Sequence, residues 1–150
     1  MSFLTPTNLL FLEPLLKATL RAALDARVHV LSAAELSGVA EAAQPTPAVH
    51  VLYRGFRVLA SGISTMEIEQ SWLTVVAVRN ARDPITAVGA RIDAGPLAMD
   101  VIGALLGREY DDCGPLAPFD PPAPGFSAGH LYLPLGWKAP ITIERSVCLD

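Results

Sequence analysis

Met66-Glu67-Ile68-Glu69-Gln70-Ser71-Trp72-Leu73-Thr74-Val75-Val76-Ala77-Val78-Arg79 changes character half-way along. Up to Trp72, apolar Met66, Ile68 and Trp72 alternate with Glu67, Glu69 and Ser71, the period-two pattern of a strand with one wet and one dry face. From Leu73 to Val78 both faces turn apolar. Such a strand lies deep in a sheet and needs cover on each side. The expectation is a helix on one side, and a second helix or a neighbouring subunit on the other.

Upstream, Val49–Leu59 reads as the partner strand, joined to the first around Ser61-Gly62. Val49, Val51, Tyr53 and Leu59 share a face if Gly55 marks a bulge. Pro45-Thr46-Pro47 forces an extended approach to this strand. Earlier still, Val28–Leu31 predicts a short strand, and Ser32-Ala33-Ala34-Glu35 is a capping-box pattern opening one helical turn. The first helix is predicted from caps at Thr7 and Asn8 to about Arg27, regular from about Leu12 because Pro14 is tolerated only near a helix start. Leu12, Leu16, Leu20 and Leu24 form its buried stripe, widened by Leu9 and Leu15. Glu13, Lys17, Arg21 and Asp25 stand four apart beside the stripe, set for ion pairing along the helix.

Downstream, Asp83-Pro84 predicts a helix start and Gly107 its stop, with a kink or brief break at Gly95-Pro96. Leu97, Val101, Ile102 and Leu105 make the buried side. Glu109–Gly129, rich in proline, glycine and aspartate, predicts a long loop with at most one edge strand; loops of that length usually carry function. His130–Trp137 and Pro140–Val147 close the chain as two strands, with Leu131, Leu133, Leu135 and Trp137 on one face. The order predicts a single α+β domain over residues 1–150, its mixed, mostly antiparallel sheet packed against two main helices.

Of the 150 residues, 51% are hydrophobic and only 17% charged, against a typical charged share of about 25%. So few charges mean either that the core is unusually rich in alanine and leucine or that part of the surface is an interface, and composition alone does not choose between them. A net charge of −4, with no basic run, is ill-suited to holding nucleic-acid phosphates. The apolar runs are too short to span a bilayer, so no membrane partner is expected. Met1–Leu12 lacks the pattern of a secretory signal, and Cys113 and Cys148 read as reduced thiols of a cytoplasm.

Catalytic and ligand-binding patterns are sparse. His29, His50 and His130 stand singly on predicted strands, half-buried, with no spacing that suits a metal, and no cofactor is expected. No serine occupies a GxSxG elbow, and the glycines are too scattered to cradle a phosphate. Cys113 follows two acids in Asp111-Asp112-Cys113, and neighbouring carboxylates raise a thiol pKa rather than activate it. Glu67 and Glu69 share a strand face about 7 Å apart, a separation open to catalytic carboxylates but more usual for solvated ones. An enzyme built on Cys113 or on this pair is the least favoured reading.

Several segments, in order, resemble the tail terminator family of Mu-like tailed phages and prophages. They are the leucine-rich first helix with Val28-His29-Val30, then Pro47-Ala48-Val49-His50-Val51-Leu52-Tyr53-Arg54-Gly55. Ile68 through Asn80 follows, and Ala94-Gly95-Pro96-Leu97 leading to Ala104-Leu105-Leu106-Gly107. The last is Tyr132-Leu133-Pro134-Leu135 before Trp137. The stretch from Glu69 to Asn80 is the most particular of these, and together they span nearly the whole chain.

The resemblance implies a ring-forming subunit, hexameric in related terminators, with no catalytic residues. Its implied partners are further copies of itself, the tail tube protein and the head-neck proteins. DNA would pass through the lumen unbound, in a virion tail assembled in the bacterial cytoplasm; another head–tail joining protein is the alternative. Ring closure requires two different patches on each subunit. Trp72, Leu73, Val75, Arg79, Arg82, Tyr110, Phe119, Phe126 and Trp137 are the candidate interface residues. Arg91 extends the basic edge of Arg79 and Arg82, and the Glu109–Gly129 loop is expected to order on assembly.

Overall fold

The computed structural model describes residues 5–79 and 88–146. The Asp83-Pro84 helix start, Arg82, Val147 and Cys148 lie outside them, as does the side chain of Arg91. The elements are α1 (Leu12–Ala23), β1 (His29–Ser32), α2 (Ala33–Leu36), a single turn Glu41–Ala43, β2 (Ala48–Ser61), β3 (Thr65–Arg79), α3 (Val88–Leu105), β4 (Ala117–Phe119), β5 (Gly125–Ser127) and β6 (His130–Glu144). They make an α+β fold around one six-stranded mixed sheet in the order β1-β2-β3-β6-β4, with β5 also on β6. Only β1–β2 is parallel; every other pairing is antiparallel.

In α1, Leu12, Leu16 and Leu20 are fully buried and Leu24 nearly so, whereas Leu9 and Leu15 are 41% and 38% exposed and do not widen the stripe. The helix stops at Ala23, short of Arg27. Leu24 is extended, and the Asp25 carboxylate takes the Arg27 N–H at 2.9 Å and its guanidinium at 3.0 Å, closing a local turn that competes with helix. The charged row beside the stripe also finds other partners. Lys17 pairs with Glu35, and Arg21 donates to the carbonyl of Val30 at 3.1 Å. Both side chains tie α1 to the β1–α2 corner instead of to their own helix. The capping box at Ser32 is present, Glu35 accepting from both the backbone and hydroxyl of Ser32.

A bulge lies between Tyr53 and Phe56, with Gly55 at φ +98°, where a side chain would be strained. It shifts the alternation. Phe56 opposes Gln70 and Val58 opposes Ile68, so these two residues, not Leu59, continue the face of Val49, Val51 and Tyr53. Leu59 falls in a second irregularity and is 47% exposed.

The predicted break in α3 is absent: one helix runs through Pro96. Gly95 lacks the Cβ that normally clashes with a following proline ring, which relaxes the restriction on that residue. Gly107, at φ +71°, then ends the helix, and the Arg108 guanidinium donates to the Ala104 carbonyl at 2.8 Å.

The two closing strands are one, β6, paired with β3 along fifteen residues. Pro134 and Pro140 fit because both stand at even positions. The Pro140 carbonyl accepts from the Gly114 N–H on the side away from β3, so both missing N–H groups face outward and spare the β3 ladder. Pro134 falls between the stretches of β6 that β5 and β4 cover.

The Glu109–Gly129 segment is not a free loop. Tyr110 and Cys113 bond each other's backbones across a tight turn, Cys113 and Leu116 are buried, and β4 and β5 are two edge strands where one was predicted.

Both α1 and α3 cover one face of the sheet. Their leucines join Val49, Val51, Ile68, Trp72, Val76, Val78, Leu131, Trp137 and Ile141 in one apolar cluster. Leu73, Val75 and Ala77 point to the other face, and they too are at most 8% exposed. This burial is within the chain itself: Phe119 and Pro122 lie beside Leu73, and the Glu41–Ala43 turn is bonded to Tyr132, opposite Ala77.

Candidate functional site

Beside the Glu41–Ala43 turn lies the most polar part of the interior. His50 is 5% and His130 0% exposed, so they are fully rather than half buried; His29 is exposed. The register places His50 across from Val75 and Tyr132 across from Ala77, which gathers both histidines around the Tyr132 ring. Ring centroids are 6.2 Å apart for His50–Tyr132 and 5.9 Å for His130–Tyr132. The Tyr132 hydroxyl donates to Glu41 at 2.8 Å, and the Ser127 hydroxyl donates to the same carboxylate at 2.9 Å. These bonds hold the Glu41 carboxyl below its ordinary range, while burial and then the Glu41 charge push the Tyr132 phenol up. Burial, followed by the charge of His130, pulls His50 down. Nε2 of His50 and both ring nitrogens of His130 have no hydrogen-bond partner among the described residues.

The cluster fastens a turn and an edge strand onto the sheet. Glu41 and Tyr132 are 91 residues apart, and no local pattern in the sequence marks either.

The other chemically active side chains are placed for structure. Cys113 is buried, and that burial pushes its thiol up to about 12, far from a reactive thiolate. The cause is desolvation, not the neighbouring acids. Glu69 meets Arg57 at 3.3 Å and Lys138 at 3.6 Å across adjacent strands, an exposed ion network, while Glu67 stands opposite Ala60 and Thr142. Among the described residues, no three His, Cys, Asp or Glu side chains gather closely enough to hold a metal ion, and no helix is long and apolar enough to cross a membrane.

The candidate interface residues divide. Trp72 and Trp137 are core: the Trp72 indole N–H donates to Gln70 at 3.0 Å, and that of Trp137 to the Thr74 hydroxyl at 2.9 Å. Leu73 and Val75 are buried on the loop face. Tyr110 is half buried against the core, its hydroxyl 2.7 Å from that of Thr19. Phe119 lies flat over Gly136, where a Cβ would come within 2.7 Å of its ring. Arg79 is exposed, and Phe126 is 42% exposed.

Exposed apolar surface concentrates elsewhere. At the tip of the β2–β3 hairpin, Phe56, Val58, Leu59 and Ile63 are 46%, 50%, 47% and 93% exposed. Leu9 and Leu10 lie at the same end, the Leu9 carbonyl accepting from Gln70 opposite Phe56. At the other end, Ala94, Gly95, Pro124, Phe126, Leu131 and Leu133 line a half-open apolar groove of about 330 Å³. The surface is built for contact and the interior for packing, over the length of the chain that the sequence model of the phage tail terminator protein family also matches, residues 7–146. The chain belongs to that family. No curated protein matches it.

A phage tail terminator protein is a structural component of the virion tail, and the chain has that coarse role. Sequence reasoning reached the family through the order of its segments. It missed the hairpin tip, because Phe56 and Val58 read as ordinary strand residues until the bulge and the absence of a covering helix are known.

Proposed function

We propose that this terminator subunit closes into a ring, hexameric as the family resemblance implies, on the head-proximal end of the tail tube. The ring ends tube polymerisation and offers its other side to the head-neck proteins. The family match across residues 7–146 carries this reading. The geometry supports it through apolar surface at two separate ends of the subunit, as a ring requires. A net charge of −4 suits a conduit that lets DNA pass without retaining it. The buried chemistry described above gives no group poised for catalysis.

The test is a phage lacking this gene. Overlong tails that fail to join heads are the expected outcome. Tails of normal length, or heads and tails that still join, would overturn the role.

A further inference from the structure

We propose that the β2–β3 hairpin tip of one subunit seats in the groove between α3 and the β5–β6 edge of the next copy. This inference rests on the ring reading and names the surfaces through which the ring closes.

The tip carries the most exposed apolar side chain among the described residues, Ile63, in the turn that joins β2 to β3, with Val58 and Leu59 close behind it. Among the described residues, six of the eleven exposed large hydrophobics lie at this end of the sheet. Scattered apolar residues on a surface need no explanation, but a cluster gathered at one end of the sheet does.

The groove has matching chemistry. Its six lining residues carry no charged or hydrogen-bonding side chain, so it suits an aliphatic occupant. The floor is open at Gly95, where an added Cβ would meet nothing within 4 Å. Met99 and Leu106, 66% and 57% exposed, extend the apolar surface along the outer side of α3.

A subunit cannot fill its own groove. Leu131 opposes Val78, whereas Ile63 lies just beyond Thr65, thirteen residues down the same strand. At strand rise that is roughly 40 Å. Two complementary patches at opposite ends of one chain define a head-to-tail contact, which closes into a ring when the rotation between copies divides a full turn. The described residues that line the groove carry no acid, and the exposed Glu67, opposite Ala60, stands beside the tip where it would fall in the rim of the contact. The tip supplies the central anchor; a standard contact of about 800 Å² per partner adds a polar rim around it.

The experiment measures the mass of the purified full-length chain over a concentration series by sedimentation and light scattering. Wild type is expected to reach a closed oligomer. Ile63→Asp puts a charge on the tip, and Phe126→Asp puts one in the groove, at a lining side chain 42% exposed. Each is expected to weaken self-association at least roughly 30-fold, the loss of one strong anchor. An equimolar mixture of the two is expected to stop at a dimer, because one intact tip and one intact groove remain. Phe126→Leu, which keeps the groove apolar, is expected to keep the wild-type mass and circular dichroism and controls for folding.

Variants that keep the wild-type oligomer, a mixture that restores the full ring, or a mixture that stays monomeric would each overturn the proposal. So would a wild-type chain that remains monomeric throughout. Overlong tails in the gene-deleted phage beside that result would leave the terminator role standing and this contact wrong. Normal tails beside the expected masses would do the reverse.

Discussion

On one face of the sheet, Trp72 and Val76 share an apolar cluster with the leucines of α1 and α3. On the other, Leu73, Val75 and Ala77 are buried with the Phe119 ring and Pro122 beside Leu73 and the Glu41–Ala43 turn bonded to Tyr132. Burial is nearly equal. The means differ: long amphipathic helices supply the first face with cohesion spread over many side chains, whereas the second depends on a few specific contacts and the Glu41–Tyr132–Ser127 bonds. Distributed packing degrades gradually. A cover held by few bonds opens locally, at a free energy below that of global unfolding.

The sharpest way to break the comparison is on the helix face. Trp72→Ala removes a side chain 1% exposed and is expected to cost about 3–5 kcal/mol, read as a lowered midpoint in urea. A cost near that of a surface substitution would mean that the cluster is not the main source of stability.

A smaller effect is expected from Gly136→Val on the loop face. The new Cβ meets the Phe119 ring, and overpacking of this kind costs about 1–3 kcal/mol. Phe119→Ala in the same chain should recover part of the loss, since the ring, not backbone, is the obstacle. No recovery would show that the backbone at Gly136 matters instead.

Tyr132→Phe should leave global stability less changed than either. Its mark is local: faster hydrogen exchange and proteolysis around Glu41–Ala43 and β5. Unchanged exchange there, or equal acceleration in α1, would deny that the two faces open separately.

The faces should also differ in pH dependence. His50 is depressed in the folded chain, so the unfolded chain takes up the proton first; its contribution is complete above about 6.5 and is lost as pH falls through that value. Glu41, also depressed, adds a second loss below about 4.5. Cys113, in the helix-side cluster, is raised to about 12. Its contribution is complete below about 9 and lost as pH rises from there. Acid should therefore loosen the loop face, with His50→Gln flattening the fall below 6.5. Cys113→Ala should flatten the alkaline fall. Thermal melts across pH 4–10 check both, and unchanged profiles in the variants would sink the assignment.

Much of the helix face was legible in sequence. A leucine every fourth residue can only bury one side of a helix, and Leu12, Leu16, Leu20 and Leu24 did so; the capping box at Ser32 is equally local. The loop face was not legible. Phe119 rests on Gly136 because β4 pairs with β6, and Glu41 meets Tyr132 because a turn folds over β3. Neither contact leaves a periodic trace. The charged row of α1 misled for the same reason: Lys17 and Arg21 follow helical spacing, but Glu35 and the Val30 carbonyl came within reach only after β1 docked.

Met66–Arg79 by itself determined that this protein has a sheet with a deeply buried central strand, because alternation that ends in continuous apolar residues leaves no wet face. It did not determine what covers each side. Both main helices took one face, while on the other the pairing of β4 with β6 set Phe119 over Gly136 and beside Leu73. The tertiary structure alone decided which apolar residues stay outside. A bulge at Gly55 and a hairpin that runs on past it left Phe56, Val58 and Leu59 about half exposed and Ile63 almost wholly so.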